Sequence, residues 1–189
     1  PGKLKVASST LPGLWSVKWI AICNAMGIKT TVLPYAGSSA GLTAVLTGEA
    51  DVLHISAGEA LAYLQTGALR PLIATEVESV DIPKVGKVDP ITKSFPELKK
   101  LLPMPQLLGM AIPADTPAAI KEQITKAFEA ALQSQAVKTV LAQQLAAPFG
   151  YTGDKANEVA KALESKFSWT MVDLGIAKKD PASLGIAKP

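Results

Sequence analysis

Hydrophobic and polar positions fall into short alternating blocks from residue 4 to residue 75. Residues 4–7, 30–33, 51–55 and 69–74 are largely apolar runs of strand length, and the stretches between them are amphipathic and close on glycine. A strand covered on both faces reads as a nearly continuous apolar run, whereas the helix that covers it repeats every 3.6 residues. The succession predicts consecutive βα units, an α/β fold with a mainly parallel sheet flanked by helices. In the first unit a strand over 4–7 and a loop over 8–13 lead to a helix over 14–26, closed by Gly27 in the left-handed conformation that glycine tolerates best. In the second, a strand over 30–33 and a turn over 34–37 lead to a helix with Leu42, Val45 and Leu46 on one face and a stop at Gly48. The third has a strand over 51–55, a turn at Ser56-Ala57-Gly58, an apolar helical stripe over 61–64 and a stop at Gly67. A fourth strand is predicted over 69–74, with Pro71 near its start, where a missing donor is best tolerated at a sheet edge.

Beyond Thr75 the pattern changes. Pro83, Pro90, Pro96, Pro103 and Pro105 predict loop over most of 76–105, with one short helix near 97–101. Residues 106–112 read as a further apolar strand. Thr116-Pro117 is a helix start, a hydroxyl N-cap followed by proline at the first helical position, and Ile120, Ile124, Phe128 and Leu132 follow at helical spacing. A second helix carries Val137, Val140, Leu141 and Leu145. A third runs from Asp154, the expected N-cap, to Leu174 and ends at Gly175. Leu-Gly-Ile-Ala-Lys occurs at 174–178 and again at 184–188, too short a repeat to signal a repeat architecture.

Composition narrows the function classes. A chain of 189 residues that is 48% hydrophobic can bury about 70% of its unfolded surface, so a core needs neither metal nor disulfide. Cys23 is the only cysteine and cannot form an intrachain bridge. The formal charge is +3 and Arg70 is the sole arginine, which argues against nucleic acid, whose readers rely on bidentate arginine and basic stripes. No apolar run reaches the ~20 residues of a membrane span. His/Cys clusters and the glycine-rich phosphate loops are missing too, so no metal and no cofactor is implied. The chain opens at Pro1-Gly2-Lys3 with no apolar leader, so a targeting peptide is expected to lie outside it.

Open parallel sheets bind ligands beyond the carboxyl ends of their strands, where loops feed helix N-termini whose free amides favour an anion. Three such junctions are rich in small residues and hydroxyls: Ser8-Ser9-Thr10, Gly37-Ser38-Ser39 and Ser56-Ala57-Gly58. Together they could grip a small organic acid without arginine, although each also reads as ordinary capping and turn chemistry. Gly37-Ser38-Ser39-Ala40-Gly41 fits G-x-S-x-G, the nucleophile elbow of serine hydrolases, and lies between a strand and a helix as that motif requires. The rival lacks partners: His54, the only histidine, lies inside the third strand, and only Glu49 and Asp51 are acids between it and Ser39. His54 reads as a core or pocket-edge residue. Trp15 and Trp19, four apart, read as core or interface with a pocket wall as the alternative.

Taken in order, Pro1-Gly2-Lys3-Leu4, Ser8-Ser9, Pro34-Tyr35-Ala36-Gly37-Ser38-Ser39, Leu46-Thr47-Gly48-Glu49-Ala50-Asp51, Leu69-Arg70-Pro71-Leu72-Ile73-Ala74-Thr75 and Ala111-Ile112-Pro113-Ala114-Asp115-Thr116-Pro117 resemble the extracytoplasmic solute receptors of tripartite tricarboxylate transporters, the Bug or TctC-like family, through residue 175. The resemblance implies a periplasmic-binding-protein fold of the type II kind, with two α/β lobes closing over a carboxylate-bearing ligand, a periplasmic location, membrane transporter subunits as partners and no enzymatic activity. It places residues 1–105 as the ligand-binding second lobe and 106–189 as a return strand and C-terminal helices belonging to an incomplete first lobe, whose N-terminal half nothing here matches. The candidate ligand-binding set is Ser8, Ser9, Thr10, Tyr35, Gly37, Ser38, Ser39, Ser56 and Ala57. The apolar faces of 117–174 are then expected to dock on an absent element, in a rearranged position, or on a second copy, giving a homo-oligomer through the C-terminal helices. The runners-up are the serine hydrolase and a truncated interaction module that no longer binds a ligand.

Overall fold

The structure, a computed structural model, describes residues 2–189; Pro1, which opens the first matched motif, lies outside them. β1 (Lys5–Ser9) is the central strand of a three-stranded parallel sheet ordered β2-β1-β3, with β2 at Thr31–Tyr35 and β3 at Val52–Leu53. Ala7 stands in register with Leu33 and Leu53. Because side chains alternate along a strand, these three share one face, and α2 (Ser38–Leu46) packs there through Ala44 and Val45. The approach is close: a Cβ on Gly41 would lie 3.1 Å from Leu53 Cδ1. Val6 and Ser8 point the other way. Chain connections leave β1 towards β2 and return past it to β3, so right-handed crossovers place α1 (Leu14–Ala25) on the face opposite α2.

α1 is buried on more than one side. Val17, Ala21 and Ile22 are buried, and Ile22 joins Ile91, Leu98, Leu102 and Met104 in the largest apolar cluster. α3 (Ala57–Gln65) holds a separate cluster, in which Ala60 and Leu64 meet Ile82. Ile82 comes from an antiparallel hairpin of β4 (Val80–Ile82) and β5 (Gly86–Val88). The N-terminus of α3 is covered by the chain leaving the later helices, and a Cβ on Gly58 would run into the Gln144 backbone. Gly58→Ala is therefore expected to lower stability by about 1–3 kcal/mol, the usual cost of overpacking, as a reduced urea midpoint at unchanged slope.

The first three βα units form where the hydrophobic pattern predicts them. Four expectations fail. Residues 69–74 make no fourth strand and have only a single bridge, from Ala74 to Pro90. The neighbour on that edge, β3, is two residues long and offers almost no ladder, and Pro71 supplies no donor. The loop over 76–105 contains the β4–β5 hairpin and α4 (Ile91–Ser94), while the short helix expected near 97–101 is present as a 3-10 helix at Pro96–Lys100. Residues 106–112 are not a strand; Leu108 is 78% exposed, and no strand among the described residues pairs with the segment. The helix starts also differ: Pro117 itself caps α5 (Ala118–Gln133), and Thr152 rather than Asp154 precedes α7 (Gly153–Asp173). Asp154 sits in the first turn, where its charge favours the helix dipole. α6 (Gln135–Gln143) is capped by Ser134, whose hydroxyl accepts from the Val137 amide.

α5, α6 and α7 contain no buried residue, although Leu163 and Phe167 of α7 lean on the α1 cluster. The repeated pentapeptide is a repeated stop signal. Gly175 and Gly185 adopt φ of 70° and 75°, and the following Ile176 and Ile186 amides each close a 3.0 Å bond five residues back, to Met171 and Pro181.

Candidate functional site

The order β2-β1-β3 makes β1 and β3 the point where the chain reverses direction across the sheet, and a crevice opens beyond their carboxyl ends. Ser8 and Ser9 of β1, Trp15 of α1, Gly37 with Ser38 and Gly41 at the start of α2, and Leu53 and Ile55 of the third unit line a space of about 40 Å³. Gly37 is the N-cap of α2 at φ 91°, a conformation that other residues reach only with strain. Ser8, Ser9, Gly37 and Ser38 from the candidate set are thus brought together. Ser56 is the N-cap of α3 and Ala57 its first residue, adjacent to Ile55 but not on the lining. Thr10, Ser39 and Tyr35 are not on it either. The Thr10 carbonyl accepts from the Gly13 amide, and that of Ser39 accepts from the Thr43 hydroxyl at 3.0 Å. Tyr35 donates its phenol to Glu49 Oε1 at 2.8 Å, and this carboxylate bond pushes its pKa up.

The hydroxyls on the lining are not equivalent. Ser9 Oγ accepts weakly from the Ser16 amide at 3.4 Å, while the Ser16 hydroxyl donates to the Ser9 carbonyl. Ser38 Oγ donates to Glu59 Oε1 in the first turn of α3, a contact that sequence reading missed because it joins two separate units. Ser8 Oγ is buried and has no hydrogen-bond partner among the described residues. An orphaned buried hydroxyl costs about 1–3 kcal/mol. Trp15, in the first turn of α1, and Ser38, the first residue of α2, share the lining with Ser8; the first amides of a helix have no acceptor within it.

Behind Trp15 lies a polar layer that the sequence reading reached only through His54. His54 is 5% exposed, with Trp15 and Trp19 each 5.4 Å from its ring. Its Nδ1 faces the Trp15 carbonyl at 2.9 Å and its Nε2 the Thr75 hydroxyl at 2.8 Å. A carbonyl can only accept, so Nδ1 carries the proton and Nε2 accepts from Thr75. Burial, reinforced by the charge of Lys18, pushes the His54 pKa down to about 4 against the opposing bond to Trp15. Lys18 is 1% exposed, ion-paired with Glu76, bonded to the Met104 carbonyl at 3.3 Å and 5.5 Å from the Trp15 ring centre. Burial lowers its pKa and outweighs the pull of Glu76. With both nitrogens of His54 engaged and Ser39 off the crevice, no triad assembles around the G-x-S-x-G motif.

Among the described residues no group of three or more His, Cys, Asp or Glu side chains could hold a metal, and no helix is long and apolar enough to cross a membrane. Two solved structures share the fold. A TctC solute binding protein from Polaromonas, crystallised with no ligand, superposes with a TM-score of 0.62 at 18% identity, over 92% of this chain and 57% of that one. A structure described as a periplasmic transporter gives 0.67 at 23% identity, over 93% of this chain and 56% of that one. The chain thus spans little more than half the length of either. Among curated proteins, no sequence matches it. The family model of the tripartite tricarboxylate transporter family receptor, TctC, matches residues 1–168, and the chain belongs to that family.

Proposed function

We propose that the chain is a non-enzymatic periplasmic solute receptor of a tripartite tricarboxylate-type transporter, and that its crevice takes the carboxylate of a small organic acid. The observation that carries the reading is Ser8, a buried hydroxyl without a partner among the described residues, on the wall of a crevice that the starts of α1 and α2 also line. Such a group gains a charge-assisted bond when a carboxylate arrives, and the first-turn amides add donors with the favourable end of the helix dipole. Family membership supports the receptor role. At about 40 Å³ the space suits one carboxylate group and falls well short of the ~300–1,000 Å³ that encloses a whole ligand. In this reading residues 1–105 form the ligand lobe, 106–189 contribute a return segment and helices to a second lobe, and a facing surface covers the rest of the acid. Closure then presents a surface to the membrane subunits.

Ser8→Ala tests the site. The variant is expected to unfold at a higher temperature than the parent, since an unsatisfied buried hydroxyl is removed, and to bind succinate about ten- to a hundredfold more weakly. Thermal unfolding and calorimetric titration read the two effects. A variant that loses stability and binds succinate as the parent does overturns the assignment.

A further inference from the structure

We infer that the acid taken in this crevice also carries a cationic group, as an amino acid or another zwitterion does, and that Glu59 selects it; the inference rests on the carboxylate-receptor reading above. The crevice is polarised by its own hydrogen bonds. The single hydroxyl proton of Ser38 is given to Glu59, so the Ser38 oxygen is left with lone pairs, an acceptor on the lining. The Ser8 proton is uncommitted among the described residues, so the same lining also offers a donor. A donor and an acceptor on one lining match a carboxylate seated in the crevice and an ammonium beside it in one small molecule.

Charge points the same way. Among the described residues no lysine or arginine lines the crevice. Lys18, behind Trp15, is already ion-paired with Glu76. Glu59 is exposed and is in none of the ion pairs among the described residues, so the charge that touches the lining, through Ser38, is an unbalanced negative one. A plain anion entering beside it is repelled, whereas an ammonium is attracted, and at contact distances in partly wet surroundings the difference is about tenfold or more in affinity. Glu59 also lies in the first turn of α3, where a carboxylate favours the helix dipole; a purely structural role of that kind predicts no effect on ligand choice.

The experiment uses pairs that differ only in the α-ammonium, L-alanine against propionate and L-aspartate against succinate, titrated into the ¹⁵N-labelled chain and its Glu59→Gln and Glu59→Asp variants, with affinities read from amide shifts. The parent is expected to bind each amino acid at least tenfold more tightly than its partner. Glu59→Gln removes that preference by weakening the amino acid while leaving the plain acid unchanged or tighter, and Glu59→Asp retains part of it. A parent that binds both members equally or prefers the plain acid overturns the inference, as does a preference that survives in Glu59→Gln. Plain acids that bind in a Ser8-dependent way without any preference leave the receptor reading standing and this inference refuted. If no member of either pair binds, both fall.

Discussion

Glu76→Ala is expected to lower the unfolding free energy by about 3 kcal/mol. Removing one partner of a buried ion pair leaves the other charge without compensation, which costs ~3–5 kcal/mol, and the lower end applies because Glu76 is 28% exposed and water reaches it. The ammonium left behind is 1% exposed and has only the Met104 carbonyl at 3.3 Å and the face of Trp15 to replace the carboxylate. Glu76→Gln, which keeps shape and removes charge, should fall between parent and alanine variant. Lys18→Met combined with Glu76→Leu should recover most of the loss, since an apolar pair of similar volume is often as stable as a buried ion pair. Urea unfolding of the four proteins measures this; a Glu76→Ala loss under 1 kcal/mol shows the pair to be an ordinary surface contact.

Acid should destabilise the fold through His54. The folded-state pKa is about 4 against an ordinary value of 6.5, so the unfolded chain binds a proton that the folded chain refuses. The contribution of His54 is complete above about pH 6.5, declines as pH falls, and is exhausted near pH 4. A gap of that size at about 1.4 kcal/mol per unit corresponds to roughly 3 kcal/mol. Unfolding free energies measured across that range should slope steeply for the parent and less for His54→Asn. The same protonation puts a proton on Nε2 and reverses its bond with Thr75, whose hydroxyl then accepts instead of donating. An NMR titration that placed the His54 pKa near 6.5 would remove the basis of this expectation.

The sequence carried the part of the fold that local pattern encodes. Glycines at 27, 48 and 67 marked the ends of the first three helices, and all three adopt positive φ. Non-local decisions were not legible. Residues 69–74 and 106–112 have strand composition, yet a strand exists only where a neighbour offers a ladder, and β3 is too short to extend one. The β4–β5 hairpin was hidden by Pro83 and by Lys84, a non-glycine residue at φ 68°. Of the candidate residues, Ser8, Ser9, Gly37 and Ser38 come to one crevice because strand ends and helix starts meet there. Tyr35, Thr10 and Ser39 share the composition of those turns without sharing their direction. Lys18 and Glu76, 58 residues apart, and Ser38 and Glu59, 21 apart, were missed because nothing in local spacing pairs them. A lysine in a helix reads as solvated until the layer above it is known.

The proposed site holds an acid at the carboxyl ends of β1 and β3 through Ser8 and the adjoining amides. Its sharpest contrast is the second cavity, about 220 Å³ at the end of α7, where Lys178 and Lys179 offer positive charge on an apolar lining. Titration of the ¹⁵N-labelled chain with succinate or L-aspartate separates the two directly. Binding at the crevice is expected to give saturable shifts that are largest at Ser8, Ser9, Trp15, Gly37 and Ser38 and that are lost in Ser8→Ala; largest shifts at Met171, Lys178 and Ile186, or no saturable shift at the crevice, would contradict it.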